Sequence, residues 1–230
     1  MCTQHPVIST EDTESFRLAQ DPEGGALLKD WAWFGLRPEP GCKWEDAITL
    51  TVQAIESLVE RLSGPDLAVW LSLFGPFLPD GVLGAAHRLI NSDDGCRFYL
   101  PEVEYYTAGP GYLETQFSIE WRPGYLARLF APGPGAPSGI LPCNCRVSVL
   151  FAPEAEPQTV GHHCLSIPEL QHTTLTEDAR IILKQCSYVI VPNLDFDFCY
   201  IGTRKAQAEK LGGLLRELWP SARWDFRENP

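Results

Sequence analysis

The chain has 230 residues, of which 44% are hydrophobic and 21% are charged, and its formal net charge is −12. This is the composition of an ordinary globular protein that is large enough to bury a core, and the negative charge argues against binding to nucleic-acid phosphates. No hydrophobic run reaches the roughly 18 residues of a membrane helix, and the N-terminal residues lack the basic and apolar regions of a secretory signal. We therefore expect a cytoplasmic protein that binds neither nucleic acid nor membrane.

The acidic residues are concentrated in the first half of the chain. Residues 1–120 contain 19 acidic and 7 basic residues, whereas residues 121–230 contain 11 of each. An excess of negative charge attracts and steers basic partners, although acidity by itself also keeps a protein soluble. The distribution favours a basic protein as the partner.

The N-terminal part of the chain is predicted to be an arm on the body of the protein. Residues 1–43 are expected to be loop-rich. Trp31, Trp33 and Phe34 lie close together in this stretch, and aromatic side chains bury large areas when they pack. We expect these three side chains to pin the arm to the rest of the domain.

A long helix is predicted next, followed by two shorter apolar segments. Between residues 45 and 63, apolar residues recur at steps of three and four, which is the pattern of an amphipathic helix. Residues 66–77 are apolar on all sides, so periodicity cannot decide between a buried strand and a short buried helix. Residues 80–91 have the apolar spacing of a further short helix.

The period changes to two in the middle of the chain. Apolar and polar residues alternate over residues 113–121, which predicts a half-buried strand with one polar face. After a turn at Pro123–Gly124, residues 125–130 are expected to return as an antiparallel partner, and residues 146–152 form another strand. These segments predict an antiparallel meander around residues 97–152.

The C-terminal part is predicted to contain further strands between two helices. Thr174 and Glu177 have the spacing of a capping box, which opens a helix that ends near Gln185. Residues 187–201 are extended and are broken by Pro192. Thr203 is expected to cap the last helix.

Together these elements predict an α+β fold in one domain over residues 1–230. Its sheet is central and antiparallel, with the meander around 97–152 and further strands in 187–201. The flanking helices are expected at about 45–63, 80–91, 176–185 and 203–218.

Cysteine and histidine residues cluster at Cys143, Cys145, His162, His163 and Cys164. Residues two apart on an extended chain share a face, so Cys143 and Cys145 together with His162 and Cys164 have the donor types of a zinc site. One intervening residue is shorter than the usual spacing of paired ligands. Catalysis by Cys164 with His163 as base is disfavoured, because adjacent side chains of an extended chain diverge.

The neighbouring apolar residues favour a packing role for these cysteines. Cys143 and Cys145 continue in the same parity into Val147, Val149 and Phe151, which form the apolar side of the predicted strand. Buried free cysteine is a common small hydrophobic residue, so we prefer packing to metal binding and keep zinc as the alternative cofactor. The eight cysteines are spaced irregularly and are expected to be reduced.

Asp195 and Asp197 are a second candidate for chemistry. On an extended segment the two carboxylates share a face and could hold Mg²⁺, but this pattern is more often that of a strand with one solvent-exposed face, and we prefer that interpretation. No glycine-rich phosphate loop, nucleophile elbow or zinc-protease motif accompanies them. The sequence therefore favours a protein that is not an enzyme.

Acidic and aromatic residues form a candidate interface in the middle of the chain. Aromatic side chains with an acidic rim suit protein interfaces, although an ordinary edge strand has a similar composition. The residues predicted to bind a partner are Glu102, Glu104, Tyr105, Tyr106, Glu114 and Glu120.

These features predict a non-catalytic protein-binding module that masks or inhibits a basic partner. Bacterial immunity proteins that neutralise a cognate toxin have this general profile, and the comparison is one of class only. The first alternative is a metal-dependent enzyme or zinc-binding protein that uses the cysteine and histidine cluster or the two aspartates. The second is an assembly component that uses the N-terminal aromatic residues.

Overall fold

A computed structural model gives the fold of most of the chain. It describes residues 6–11, 21–76, 82–91, 97–99, 106–107, 113–130, 145–153, 160, 163–170, 174–193 and 197–225. The strands in these ranges are β1 (Val7–Glu11), β2 (Trp31–Arg37), β3 (Leu67–Pro76), β4 (Phe98–Tyr99), β5 (Tyr106–Thr107), β6 (Leu113–Glu120), β7 (Arg146–Pro153), β8 (Tyr188–Pro192), β9 (Cys199–Arg204) and β10 (Arg223–Asp225). The helices are α1 (Pro22–Lys29), α2 (Trp44–Leu62), α3 (Val82–Asn91), α4 (Tyr125–Phe130), α5 (Ile167–Leu170), α6 (Glu177–Gln185) and α7 (Ala208–Leu218).

The ten strands of the described residues form one sheet. Their order is β10–β1–β2–β9–β8–β7–β3–β6–β4, and β5 also pairs with β6. Neighbouring strands are antiparallel, except that β1 and β10 run parallel. The protein therefore has the predicted α+β fold with a central sheet and flanking helices, and the parallel pair makes this sheet mixed.

Helices cover both faces of the sheet. The first face carries α2, α3, α4 and α7, and the second carries α1, α5 and α6. Strand β3 buries Val69 and Leu71 on the first face and Ala68 and Trp70 on the second. A strand that is covered on both faces has no polar side, which explains why periodicity alone left residues 66–77 undecided.

The longest helix, α2, matches its predicted span to within one residue at each end. Its apolar stripe, which includes Ile48, Val52 and Ile55, is buried on the first face. Full burial of such a side chain contributes roughly 1.5–3 kcal/mol. The stripe therefore fixes which side of α2 faces solvent.

The prediction of a loop-rich N-terminal arm is wrong for the described residues. β1, α1 and β2 lie within residues 1–43, and β2 pairs with both β1 and β9 inside the sheet. Trp31 and Trp33 are buried on the second face, where Trp31 Nε1 donates a hydrogen bond to the carbonyl of Leu183 at 3.1 Å. The aromatic residues are thus part of a strand, and one of its two partner strands, β9, lies far away in sequence.

The centre of the chain differs from a simple meander. Strand β3 lies between β6 and β7 and pairs with both, so the strands of 97–152 are interleaved with an earlier segment. Residues 125–130 form helix α4 and not the predicted return strand. Gly124 adopts a φ of +82°, which favours glycine, and the carboxylate of Glu56 accepts hydrogen bonds from the amides of Gly124 and Leu126 at 2.9 and 3.0 Å. A side chain of α2 therefore caps the start of α4.

The C-terminal elements follow the prediction with two shifts. Strands β8 and β9 correspond to the two pieces of 187–201. Helix α6 is capped by Thr176, whose side chain accepts from the amide of Ala179, and not by Thr174. Strand β9 continues to Arg204 because Thr203 and Arg204 pair with β2, so the last helix begins at Ala208 after a 3-10 turn and not at the predicted Thr203.

Candidate functional site

One edge of the sheet carries three of the six predicted partner-binding residues, at the two ends of β6. Tyr106 lies opposite Glu114 in the pairing of β5 with β6, and Glu120 is the last residue of β6. The neighbouring strand β4 presents Phe98, whose side chain is 46% exposed. Glu102, Glu104 and Tyr105 lie outside the described residues.

The charge of Glu120 is neutralised by a neighbour. Arg97 Nη2 donates a hydrogen bond to Glu120 Oε1 at 2.6 Å, and this contact holds the pKa of the carboxyl below its ordinary value. The Arg97 guanidinium also lies 5.7 Å from the centre of the Trp70 ring. Glu120 is therefore ionised but paired, which weakens its attraction for a basic partner.

A row of buried serines crosses the second face of the sheet. Ser118, Ser72 and Ser148 lie opposite one another on β6, β3 and β7, and all three are fully buried. Ser118 Oγ donates to Ser72 Oγ at 3.0 Å, and Ser72 Oγ donates to the carbonyl of His163 at 2.7 Å. The amide of Leu165 donates to Ser148 Oγ at 3.2 Å. The polar side of β6 is thus not solvated at Ser118, because the segment around His163 covers it.

Two of the four candidate zinc ligands lie close together. The Sγ atoms of Cys145 and Cys164 are 3.5 and 3.9 Å from the carbonyl oxygen of Arg146. Cys145 is buried with Val147 in the core of the first face, as the parity of the strand predicts. Cys143 and His162 lie outside the described residues, and within the described ranges no group of three histidine, cysteine or acidic side chains could hold a metal ion.

The described thiols are poor nucleophiles. Burial raises the pKa of Cys164 and of Cys199 to about 12, and it also raises the pKa of Cys145. The thiolate is the reactive form of cysteine, so these thiols are neutral and inert at physiological pH. Cys42 is disulfide-bonded, which corrects the expectation that all the cysteines are reduced.

The sequence analysis missed two sets of polar contacts in residues 163–170, one to helix α6 and one within the segment. His163 Nδ1 and Asp178 Oδ1 are 2.9 Å apart. Glu169 Oε2 accepts hydrogen bonds from the amide and the hydroxyl of Ser166 at 2.7 and 2.8 Å, and burial raises the pKa of this carboxyl. The spacing Ser166–x–x–Glu169 is a capping box, so this part was visible in the sequence. Because these groups hydrogen-bond to one another within the chain, we assign them a structural role and not a catalytic one.

Asp197 is placed in a turn and not on a strand. Its amide donates to Asn193 Oδ1 at 3.1 Å, and the amide of Phe198 donates to the same oxygen at 3.2 Å. The side chain of Asn193 in turn donates to the carboxylate of Asp197. Asp197 therefore shapes the connection between β8 and β9, and Asp195 lies outside the described residues.

The exposed residues of α2 include several acids and, at the first position of the helix, a tryptophan. Trp44 is 41% exposed at the start of the helix, and Glu45, Asp46 and Glu60 are exposed along it. No basic side chain in the described ranges forms an ion pair with these three acids. We call these four residues the α2 surface. The polar face of α2 was evident in the sequence, but its free charges were not.

A groove runs beside the α2 surface, between α2, the end of β2 and the end of α7. Its volume is about 230 Å³. Leu36, Leu50 and Trp219 give it an apolar wall. Among the described residues, its polar lining consists of Thr51, Gln53 and Ser57.

Comparisons with known proteins leave the chain without an assigned relative. No family model, curated protein or solved structure matches it. Among the helices of the described ranges, none combines the length and the apolar character needed to cross a membrane. Function must therefore be argued from the surfaces and contacts described above.

Proposed function

We propose that this protein is a non-catalytic binding module that masks or inhibits a basic partner protein, as immunity proteins do with a cognate toxin. The observation that supports this most directly is the α2 surface. There, Glu45 and Asp46 follow an exposed tryptophan in the first turn of α2, Glu60 is exposed in the last turn, and none of the three acids has a described ionic partner. A surface of this kind has both an anchor and a charged rim.

The physical argument rests on different roles for the aromatic and acidic groups. A tryptophan buries roughly 150–250 Å² when a partner covers it, and tryptophan is enriched among the residues that dominate binding energy. Acidic side chains at the rim act mainly on the association rate, because they steer a basic partner toward the surface. Glu45 and Asp46 lie next to Trp44 along the chain, so steering and anchoring act at the same place.

The sheet edge is proposed as a secondary contact. Phe98 is exposed there, and Tyr106 and Glu114 are neighbours in the sheet. Glu120 contributes less net charge because Arg97 already pairs with it. This difference between paired and unpaired acids is why we place the main contact on α2.

Salt dependence of partner binding tests the proposal. The first partner to examine is the product of the adjacent gene, and its dissociation constant and association rate would be measured at about 50 and 300 mM salt, since screening shortens the Debye length over this range. We expect slower association and weaker binding at high salt. Binding that is equally tight and equally fast at both concentrations would contradict a charge-driven interaction.

Zinc binding by Cys145 and Cys164 is the second candidate function. It is favoured by the approach of both sulfur atoms to the Arg146 carbonyl, and a bound metal would deprotonate the buried thiols. The test is the zinc content of protein purified without added metal. A content near one equivalent would support the site, and less than about a tenth of an equivalent would exclude a resident structural zinc ion.

A further inference from the structure

Cys42 differs from the other described cysteines. It is disulfide-bonded and partly exposed, whereas the free thiols of the described ranges are all buried. These are Cys145, Cys164, Cys186 and Cys199. Thiol–disulfide exchange requires access to the sulfur atom, so among the described cysteines Cys42 is the one that can take part in it. Cys42 stands two residues before Trp44 of the α2 surface.

The order of the strands indicates which cysteine is bonded to Cys42. The remaining cysteines are Cys2, Cys96 and Cys143, which lie outside the described residues. In the sequence they precede β1, β4 and β7, and these strands lie one, six and three positions from β2 in the sheet. Neighbouring strands are about 4.8 Å apart, so the three separations are roughly 5, 29 and 14 Å. A disulfide joins Cα atoms that are about 4.4–6.8 Å apart, and of the three strands only β1 lies at such a spacing.

A turn keeps Cys42 near the end of β2. The amide of Cys42 donates a hydrogen bond to the carbonyl of Glu39 at 3.2 Å, and Glu39 is two residues after Arg37, the last residue of the strand. Arg37 lies opposite Val7 of β1. Cys2 precedes Val7 by five residues, a length of chain that spans at most about 17 Å. Cys2 is therefore within reach of Cys42.

The start of α2 lacks the side-chain cap that commonly holds the end of a helix. Its N-cap residue is Lys43, whose side chain makes no capping hydrogen bond, although the amide of Ala47 donates to the carbonyl of Lys43 at 2.9 Å. Trp44, Glu45 and Asp46 are exposed, so little packing against the core holds this turn. A covalent bond at the residue before the N-cap restrains the turn in place of a cap.

We propose that a disulfide between Cys42 and Cys2 is a redox switch that orders the start of the α2 surface. A dithiol reduces the bond: it gives up two electrons and two protons, becomes a disulfide itself, and leaves Cys42 and Cys2 as thiols. A disulfide oxidant such as glutathione disulfide reverses the exchange. Disulfides in the cytoplasm, the compartment that the sequence predicts, are usually transient or redox-sensing.

The switch acts on binding through the order of the surface. Without the bond the first turn of α2 frays, and Trp44 and the acids beside it no longer hold one arrangement. A partner then has to order these side chains as it binds, which weakens the complex. This part of the inference rests on the proposed function.

Peptide mapping without reduction tests the pairing. The protein is oxidised with glutathione disulfide, its free thiols are blocked with iodoacetamide in denaturant, and it is digested with trypsin. Cleavage after lysine and arginine gives the peptides 1–17 and 30–43, which contain one cysteine each. We expect these two peptides as a linked pair that separates on reduction. A link from Cys42 to Cys96 or Cys143, or a blocked thiol at Cys42, would overturn the inference.

Amide hydrogen exchange tests whether the disulfide orders the helix. The amide of Ala47 is followed by NMR in the oxidised protein and after addition of dithiothreitol. We expect about five- to tenfold faster exchange after reduction, which is the effect of losing one helix cap. The amide of Ser63, which donates to the carbonyl of Val59 at the other end of α2, is the internal control and should not change. Equal exchange of Ala47 in the two states would overturn the switch.

The variants Cys42→Ser and Cys2→Ser control for other effects of dithiothreitol. Each should exchange at Ala47 as the reduced wild type does, both with and without the reductant. Acceleration of exchange by dithiothreitol in Cys42→Ser would show that a different bond controls this turn, and it would overturn the inference. The comparison of oxidised with reduced wild type needs no variant, so it holds even if a substitution disturbs folding.

Partner binding separates this inference from the proposed function. The dissociation constant is measured for the oxidised and reduced protein at about 50 and 300 mM salt. We expect reduction to weaken binding about fivefold and Cys42→Ser to bind as the reduced protein does. Salt-sensitive binding of equal strength in the two redox states would leave the proposed function standing and overturn the switch. Binding without salt dependence would count against the proposed function itself, whereas the mapping and exchange experiments test the disulfide without the partner.

Discussion

Asp21 and Arg180 form an ion pair of 2.6 Å that joins the start of α1 to α6. The same carboxylate accepts hydrogen bonds from the amides of Gly24 and Leu175, each at 2.9 Å. The amide of Gly24 is the largest cause of the low pKa of Asp21, followed by the amide of Leu175 and then by Arg180. Together they lower this pKa from 3.8 to about 2. One buried carboxylate therefore links the start of α1 to the start of α6 on the second face.

Replacing Asp21 should destabilise the protein. Asp21→Ala removes the cap of α1 and leaves the buried amide of Leu175 without its acceptor, which together cost about 2–4 kcal/mol. The free energy of unfolding by urea at pH 7 measures this loss. Asp30→Asn changes an exposed acid at the other end of α1, so it is the control and should change stability by less than about 0.5 kcal/mol.

The same carboxylate should make stability depend on acid. Because its folded pKa is lower than its unfolded pKa, Asp21 contributes fully above about pH 4, and this contribution is lost as the pH falls toward about 2. The free energy of unfolding, measured at pH 5, 4, 3 and 2, should therefore decrease more steeply toward low pH for the wild type than for Asp21→Ala. Parallel pH profiles of the two proteins would show that Asp21 is not ionised differently in the folded state.

Glu56, which caps α4, should contribute more to the stability of the protein than an exposed acid on the same helix. Glu56→Ala leaves the amides of Gly124 and Leu126 without their acceptor, so we expect a loss of about 1–3 kcal/mol. Glu56→Gln keeps one carbonyl acceptor and should cost roughly half as much. Glu60→Ala, one turn later and exposed, is the matched control. Equal midpoints of thermal unfolding for Glu56→Ala and Glu60→Ala would contradict the capping role.

Alanine substitutions in the row of buried serines should destabilise the protein to different degrees. Ser72→Ala removes the donor to the His163 carbonyl and leaves that group unsatisfied, which costs about 1–3 kcal/mol. Ser118→Ala removes only the outer donor of the chain, and we expect about 0.5–1.5 kcal/mol. Chemical denaturation of both variants tests this order. A larger effect at Ser118 would show that the hydrogen bond to His163 is not the one that fastens the covering segment.

The buried thiols should resist labelling until the protein unfolds. The pKa values of Cys164 and Cys199 are raised to about 12 by burial, so almost no thiolate is present at pH 8. A thiol reagent followed by peptide mapping should label neither residue in the native protein and both in denaturant. Rapid labelling of Cys164 in the folded protein would show that the segment covering it opens readily. It would also support a reactive role for this cysteine.

Local patterns predicted the elements that depend on local forces. The span of α2 follows from its apolar stripe alone, and the parity of β7 correctly placed Cys145 in the core. By contrast, β2 becomes a strand because β1 and β9 pair with it, and α4 becomes a helix because Glu56 caps it from another helix. These contacts join separate elements, and β9 in particular is far from β2 in sequence, so periodicity could not reveal them.

The candidate site shows the same division between local and distant contacts. The acidic side of α2 could be recognised from the sequence, as could the capping box at Ser166. The pairing of Arg97 with Glu120 and that of His163 with Asp178 join different elements, and only the fold brings them together. The groove depends on residues that are far apart in sequence, from Leu36 to Trp219. The predicted acids at the sheet edge therefore became less attractive, and α2 became the stronger candidate.

Neutralising the α2 surface tests the central claim most directly. The variant with Glu45→Gln, Asp46→Asn and Glu60→Gln is compared with a variant that neutralises three exposed acids on the second face. These control changes are Glu23→Gln, Asp30→Asn and Glu177→Gln. Both variants change the net charge by the same amount, so a difference between them reports position and not total charge.

The measurement is the dissociation constant for the basic partner at about 50 mM salt, where screening is weak. We predict that the α2 variant binds about tenfold more weakly, mainly through slower association, and that the control variant stays within about twofold of the wild type. Equal affinities for the two variants would contradict the claim that the protein binds its partner through α2.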